Sequence, residues 1–202
     1  MDRRAVLLAA IVAPLVLLGG VSLVQRLKRS ADLQRVASWA PAVRAAADEV
    51  GLDPAVLGGL VYAESRGLPD AVSATGALGL CQVLPSTAAE VARSLDLPER
   101  GPWPPEVNLR LGAHYLARQL ERFGDLDLAL LAYRLGPNAV AREVEAAGGR
   151  DLWLERLAAE PGSAWNWLEQ VLWAARYLRE RGVFRDPVPV VPDGGVRPAV
   201  DG

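Results

Sequence analysis

Residues 53–88 read Asp53-Pro-Ala-Val-Leu-Gly-Gly-Leu-Val-Tyr-Ala-Glu64-Ser-Arg-Gly-Leu-Pro-Asp70-Ala-Val-Ser73-Ala-Thr-Gly76-Ala-Leu-Gly-Leu-Cys81-Gln82-Val-Leu-Pro85-Ser-Thr-Ala88. Asp53-Pro54 pairs a side-chain cap with a proline at the first helical position, so a helix starts here. It is predicted to run to about Arg66, with Gly67 beyond its end. Leu57, Leu60 and Val61 fall on one face of it, and Glu64, one turn later, ends that face. A carboxyl following an apolar stripe toward the core loses water, which favours its neutral form. The last turn carries the negative end of the helix dipole, which acts in the same direction. An acid that stays protonated near neutral pH is what general-acid catalysis requires.

Outward from this stretch the pattern stays helical. Leu33 to Val50 reads as a helix interrupted near Pro41 and ended by Gly51. Ser86 to Leu95 is a shorter helix, started by Ser86 or by Leu84-Pro85, and Asp96 to Pro105 is a Pro-rich link. Glu106 to Phe123 aligns Leu109, Gly112, Ala113 and Leu116 on one face, with Gly124 as its stop. Asp125 to Leu135 is nearly all apolar and predicts a buried helix. Pro137 to Ala147, Asp151 to Ala159 and Ser163 to Arg181 complete an all-α body.

Three blocks of this pattern, in order, carry a family resemblance: Glu64-Ser65 at a helix end; Gly76-Ala77-Leu78-Gly79-Leu80-Cys81-Gln82 through Pro85, Thr87 and Ala88; and Asn108 with Gly112 at a helix start, followed by Ala132-Tyr133-Arg134-Leu135-Gly136-Pro137. The chain resembles the Slt-type lytic transglycosylases, goose-lysozyme-like enzymes that cleave peptidoglycan. The resemblance spans roughly Trp39 to Val140, with weaker helical similarity to Tyr177. It implies a lysozyme-like helical domain with a cleft for the glycan strand. It also implies Glu64 as the catalytic acid, Ser73 and Gln82 as residues that contact the sugar or line the cleft, and Tyr133 as a tyrosine hydrogen-bonded near the catalytic carboxyl. The reaction implied is non-hydrolytic cleavage between N-acetylmuramic acid and N-acetylglucosamine, leaving 1,6-anhydro ends.

Several positions depart from the family pattern. Arg134 and Leu135 stand where it usually has Asn-Ala, Cys81 replaces the common Met before Gln82, and Leu84 takes a place often held by Met. Gly67-Leu68-Pro69-Asp70 differs from the usual aromatic-Asn-Pro. Ser163 to Leu168 lacks the later acid that many members contribute to the cleft. Asp70 is the one other carboxylate near Glu64 in sequence. Two rival readings follow: a muramidase of the same fold, which needs a second carboxylate, and a non-catalytic glycan-binding or scaffold module of an envelope complex. The six Trp residues read first as packing, and His114 as a surface or packed histidine.

Composition narrows the classes further. The 202 residues are 51% apolar and 23% charged, the make-up of a globular chain rather than a disordered one. One Cys and one His close no zinc finger or ribbon, and one Cys makes no internal disulfide framework. No metal or organic cofactor is implied. Ala5 to Val24 is an uncharged run of 20 residues, flanked by Arg3 and Arg4 before it and by Arg26, Lys28 and Arg29 after it. A helix of that length spans about 30 Å, the hydrocarbon thickness of a bilayer. Without a small-x-small site it reads as an uncleaved signal anchor.

The division expected is therefore 1–29 membrane anchor, 30–182 catalytic domain, and 183–202 a Pro/Gly-rich tail without helical period. Past residue 29 the chain holds 17 basic against 23 acidic residues, a balance opposed to nucleic-acid binding. The expected partners are peptidoglycan glycan strands and, through the N-terminal helix, the cytoplasmic membrane. Which envelope complex joins them is left open. The location implied is the inner membrane, single-pass, with the catalytic domain on the periplasmic, cell-wall side.

Overall fold

In the computed structural model, which describes residues 24–160 and 162–185, the chain is helical. The elements are α1 (residues 24–38), α2 (Ala40–Asp48), α3 (Pro54–Ser65), α4 (Pro85–Ser94), α5 (Pro105–Phe123), α6 (Leu126–Leu135), α7 (Pro137–Ala147), α8 (Arg150–Ala159) and α9 (Ser163–Glu180). The break expected near Pro41 falls at Trp39, between α1 and α2. The helix before that break is longer than predicted and runs unbroken from residue 24. No helix among the described residues is long and apolar enough to cross a membrane. The anchor expected over residues 5–24 lies, but for Val24, outside the described residues, as does the expected tail from residue 186 on.

The Asp53 carboxylate accepts a hydrogen bond from the Ala55 N–H at 2.7 Å and Pro54 follows it, so α3 begins where its sequence signals place it. One expectation changes here. Instead of a single apolar stripe, every residue from Ala55 to Tyr62 is buried. A helix apolar on all sides has neighbours on all sides, and α3 has α2 on one flank and α9 along another, the most extensive helix pair in the fold. Gly58 and Gly59 make that proximity feasible. A Cβ on Gly59 would run into the backbone carbonyl of Val171 on α9, and one on Gly58 would lie 2.8 Å from the Phe184 ring.

The remaining helices wrap this pair. α5 and α6 pack against each other as a hairpin turned at Gly124, whose φ of +63° suits glycine. α7 and α8 continue from α6 back to α9. Glu49, at the end of α2, is gripped by the Arg110 guanidinium of α5 through two hydrogen bonds of 2.7 and 2.6 Å. That pairing holds its carboxyl well down, to about 2. After α9 the chain folds back: the Val183 N–H donates to the Leu178 carbonyl at 3.1 Å, and Val183 and Phe184 pack on the core. These two residues lie just past the boundary expected at residue 182.

Candidate active site

The Glu-Ser pair closes α3. Ser65 Oγ donates to the Val61 carbonyl at 3.2 Å and accepts from the Gly67 N–H at 3.2 Å, so this buried serine ties off the end of the helix. Arg66 then takes a left-handed conformation, φ +56°. The carbonyls left over at a helix end need partners, and α1 supplies them. Arg35 Nη1 donates to the Arg66 carbonyl at 2.7 Å, and the Trp39 indole N–H to the Gly67 carbonyl at 3.1 Å. Gly67 has no room for a side chain, because a Cβ would lie 2.9 Å from the Val36 nitrogen. These contacts fix the last turn of α3, and with it the Cα of Glu64.

The Gly76–Ala88 block forms the second half of the loop between α3 and α4 and the first turn of α4, and the loop is held together by its own side chains. Gln82, with φ +48°, turns its side-chain amide back onto the loop, and Nε2 donates to the carbonyls of Ala71 (2.9 Å) and Gly79 (3.0 Å). Ser73 Oγ accepts from the Ala77 N–H at 3.0 Å and pairs with Thr75 Oγ1 at 2.9 Å. Asn108, 1% exposed, reaches across from α5. Its Oδ1 accepts from the Cys81 N–H at 2.8 Å and its Nδ2 donates to the Leu78 carbonyl at 2.9 Å. Two glycines permit this contact: a Cβ on Gly79 would lie 2.6 Å from the Asn108 side chain, and one on Gly112 would lie 2.5 Å from Cys81 Sγ. The Tyr133 hydroxyl, from α6, donates to the Cys81 carbonyl at 2.8 Å. The second and third sequence blocks are thus one interlocked unit.

Between this unit and the end of α3 lies a cleft of ≈ 460 Å³ that brings Glu64, Ser73, Gln82, Tyr133 and Arg134 together. All four residues expected at the site line it. Ser73 and Gln82 do so while also holding the loop. The Tyr133 hydroxyl is engaged by the Cys81 carbonyl rather than by Glu64, and burial raises its pKa well above the ordinary phenol value. The Glu64 side chain is 13% exposed. Desolvation pushes its pKa up from 4.5 to about 7, against the opposing pull of Arg134 and of the Trp167 indole. Arg134 Nη1 lies 3.9 Å from Glu64 Oε1, and its guanidinium sits over the Trp167 ring, 5.2 Å from the centroid. The Trp167 N–H is buried and finds no acceptor in hydrogen-bonding geometry, so its effect on Glu64 is that of a nearby dipole rather than of a formed bond.

Two features of this neighbourhood are not evident in the sequence. Trp167 was read as packing, and at 4% exposure it is packed, yet it also walls the acid. It comes from the α9 stretch in which no acid was found. Arg134, seen as a bulky departure beside Tyr133, is a cation held against the carboxyl. Among the described residues no other Asp or Glu lines the cleft. Asp70 is exposed and is not part of it. No cluster of metal-ligating side chains occurs among the described residues.

The family model described as the transglycosylase SLT domain matches residues 41–155. The chain belongs to this family. The SLT match covers α2 through most of α8 and includes every lining residue of the cleft, but not Trp167 of α9. The chain is 39% identical over 95 residues to the transglycosylase of Enterobacteria phage PRD1, a match covering 47% of this chain and 34% of that protein. It is 33% identical over 95 residues to the endo-type membrane-bound lytic murein transglycosylase A of Klebsiella pneumoniae, covering 42% and 44%. Its fold is similar to the X-ray structure of an inactive mutant of the lytic transglycosylase Slt from Pseudomonas aeruginosa, with a TM-score of 0.62 and 29% identity over 71% of this chain and 24% of that one. A 70 kDa soluble lytic transglycosylase solved in complex with bulgecin A is similar in fold (TM-score 0.61, 23% identity, 70% and 24% covered). The chain matches less than half the length of the curated relatives and about a quarter of the solved ones.

Proposed function

We propose that this SLT domain cleaves the bond between N-acetylmuramic acid and N-acetylglucosamine in peptidoglycan without water, leaving 1,6-anhydro-muramoyl ends. The observation that carries the reading is a single desolvated carboxyl, Glu64, in a cleft that no other Asp or Glu lines among the described residues. Most glycosidases place two carboxylates across the scissile bond, about 5–5.5 Å apart for retention or 6.5–9.5 Å for inversion. A cleft with one acid suits a substrate that supplies its own nucleophiles.

The chemistry then runs through Glu64 alone. Protonated Glu64 gives its proton to the glycosidic oxygen, and the bond from that oxygen to the muramoyl anomeric carbon breaks. The carbonyl oxygen of the 2-acetamido group closes on that carbon. Glu64, now a carboxylate, takes the proton of the muramoyl 6-hydroxyl. The 6-oxygen attacks the anomeric carbon and releases the acetamido oxygen. The acid ends the cycle protonated, and the substrate has rearranged with nothing added. One group must act as acid and then as base, and a pKa of about 7 divides the two forms evenly near neutral pH. Arg134 and the Trp167 dipole stabilise the carboxylate formed midway, while burial favours the starting acid. The muramidase reading lacks its second carboxylate among the described cleft residues. The scaffold reading leaves the desolvation of Glu64 without a use.

We place the domain on the cell-wall side of the cytoplasmic membrane, tethered by residues 5–24. Purified sacculi treated with the full chain and analysed by mass spectrometry test the reaction. Ordinary reducing ends in place of anhydro ends would make the protein a hydrolase.

A further inference from the structure

A second groove among the described residues lies apart from the catalytic cleft. A space of ≈ 860 Å³ opens between the first half of α1 and the outer face of α9, with Tyr62 and Arg66 of α3 at its base. The lining follows helical spacing on both walls. Gln25, Lys28, Arg29 and Asp32 form an i, i+3, i+4, i+7 stripe on α1, and Asn166, Glu169, Gln170 and Trp173 repeat that spacing on α9. Facing stripes on packed helices are ordinarily apolar. These are polar, and the two helices stay apart along them.

The charge in the groove is not internally balanced. Asp32 is engaged by Arg35 at 3.1 Å. Among the described residues Lys28, Arg29 and Arg176 have no ion-pair partner, and Glu169 is the other acid in the lining beside Asp32. Arg29 lies over the Trp173 ring, 5.3 Å from its centroid. Arg66 lies over Tyr62 at 4.3 Å and donates to Gln170 at 2.6 Å, and its other terminal nitrogen, Nη1, is buried without an acceptor. An excess of cations without ion-pair partners along one groove is a receptor for an anion with several acceptor oxygens.

We propose that this groove binds the phosphate headgroup of an anionic phospholipid. The choice of a lipid comes from position. Lys28 and Arg29 follow the apolar run of residues 5–24 by four and five residues, which on a helix is about 6–8 Å. That is headgroup depth for a chain whose apolar run fills the hydrocarbon. Trp173 and Tyr177, stacked at 5.7 Å, are the residue types that settle at the membrane–water boundary. Occupancy seats α9 and α1 against the bilayer and fixes how the catalytic cleft faces the wall. The siting at the membrane rests on residues 5–24 being the anchor.

The test is thermal unfolding of the full chain in a neutral detergent, titrated with water-soluble dihexanoyl-phosphatidylglycerol. This reports groove binding whether or not residues 5–24 span a bilayer, and no catalytic turnover enters the readout. A ligand that binds only the folded state raises the melting temperature in proportion to the logarithm of its concentration above Kd. The expected result is a rise of several degrees that grows with the logarithm of lipid concentration above Kd, lost in the Arg29→Gln/Arg176→Gln variant, whose own melting temperature without lipid stays within about 2 °C of the parent because both side chains are exposed. Lys28→Glu abolishes the rise as well. Four results would overturn the proposal: no rise, an equal rise with dihexanoyl-phosphatidylcholine, a rise that survives both variants, or a rise reproduced by inorganic phosphate alone. A rise with the isolated anionic stem peptide of peptidoglycan, and none with the lipid, reassigns the groove to the wall polymer.

Discussion

At the scale of the residue, the account turns on Glu64 and the two groups that oppose its burial. With a folded pKa near 7 against 4.5 in the unfolded chain, the folded state holds the proton more tightly between those values. Stability is therefore full below about pH 4.5 and falls as the pH rises toward 7, by an amount on the order of 3 kcal/mol. Glu64→Gln removes that loss. Its melting temperature is expected to exceed the parent's at pH 8 and to match it at pH 4.5, and equal differences at the two pH values would contradict the burial argument. In catalysis the rate follows the protonated form, so kcat/KM falls about tenfold per pH unit above 7. Arg134→Asn removes the nearest cation and moves that limb to higher pH. Its rate at pH 8, relative to its own rate at pH 6, is expected to rise several-fold over the parent's ratio, and a pH profile that does not move would detach Arg134 from the acid. The position of Glu64 at the end of an apolar stretch was legible from sequence. The Trp167 wall was not, because it depends on α9 lying across the end of α3, which no local pattern encodes.

At the scale of the element, the sequence motifs turn out to be steric as much as chemical. Asn108 bridges the Cys81 N–H and the Leu78 carbonyl from within the core. Asn108→Ala leaves the buried Cys81 N–H without a partner, while the Leu78 carbonyl keeps its bond from the Val83 N–H, at a cost of about 1–3 kcal/mol, which chemical denaturation measures as a lower midpoint. Gly112→Ala gains about 1 kcal/mol of helix propensity. It also drives a methyl to within 2.5 Å of Cys81, and overpacking of that kind costs about 1–3 kcal/mol or more. The net expectation is destabilisation together with loss of activity, since Cys81 adjoins Gln82 and anchors Tyr133. A neutral or more stable Gly112→Ala protein would show that the loop and α5 are not interlocked. Helix positions were largely readable because caps and stops are local: Asp53-Pro54, Gly124 and Gly136-Pro137 each fell where their chemistry required. That the chain is already helical at residue 24, and that Val183 and Phe184 return onto the core, were missed for the opposite reason. Both depend on surfaces offered by α3 and α9, distant in sequence.

At the scale of the whole molecule, α3 is the shared axis. Its buried middle holds α9, its final turn presents Glu64 to the cleft, and Arg66, two residues on, opens to the groove beside α1. Glycine at position 59 lets the two long helices touch backbone to backbone. Gly59→Ala is expected to destabilise the fold by a few kcal/mol, and to lower lipid response and activity together, because both surfaces are framed by that pair. The central claim is that one carboxyl performs the entire cleavage. The direct measurement is mass spectrometry of muropeptides released from purified sacculi by the full chain and by Glu64→Gln. The account predicts products ending in 1,6-anhydro-muramoyl residues with the parent, and none with the variant. Products with ordinary reducing ends, or release undiminished by Glu64→Gln, would contradict it.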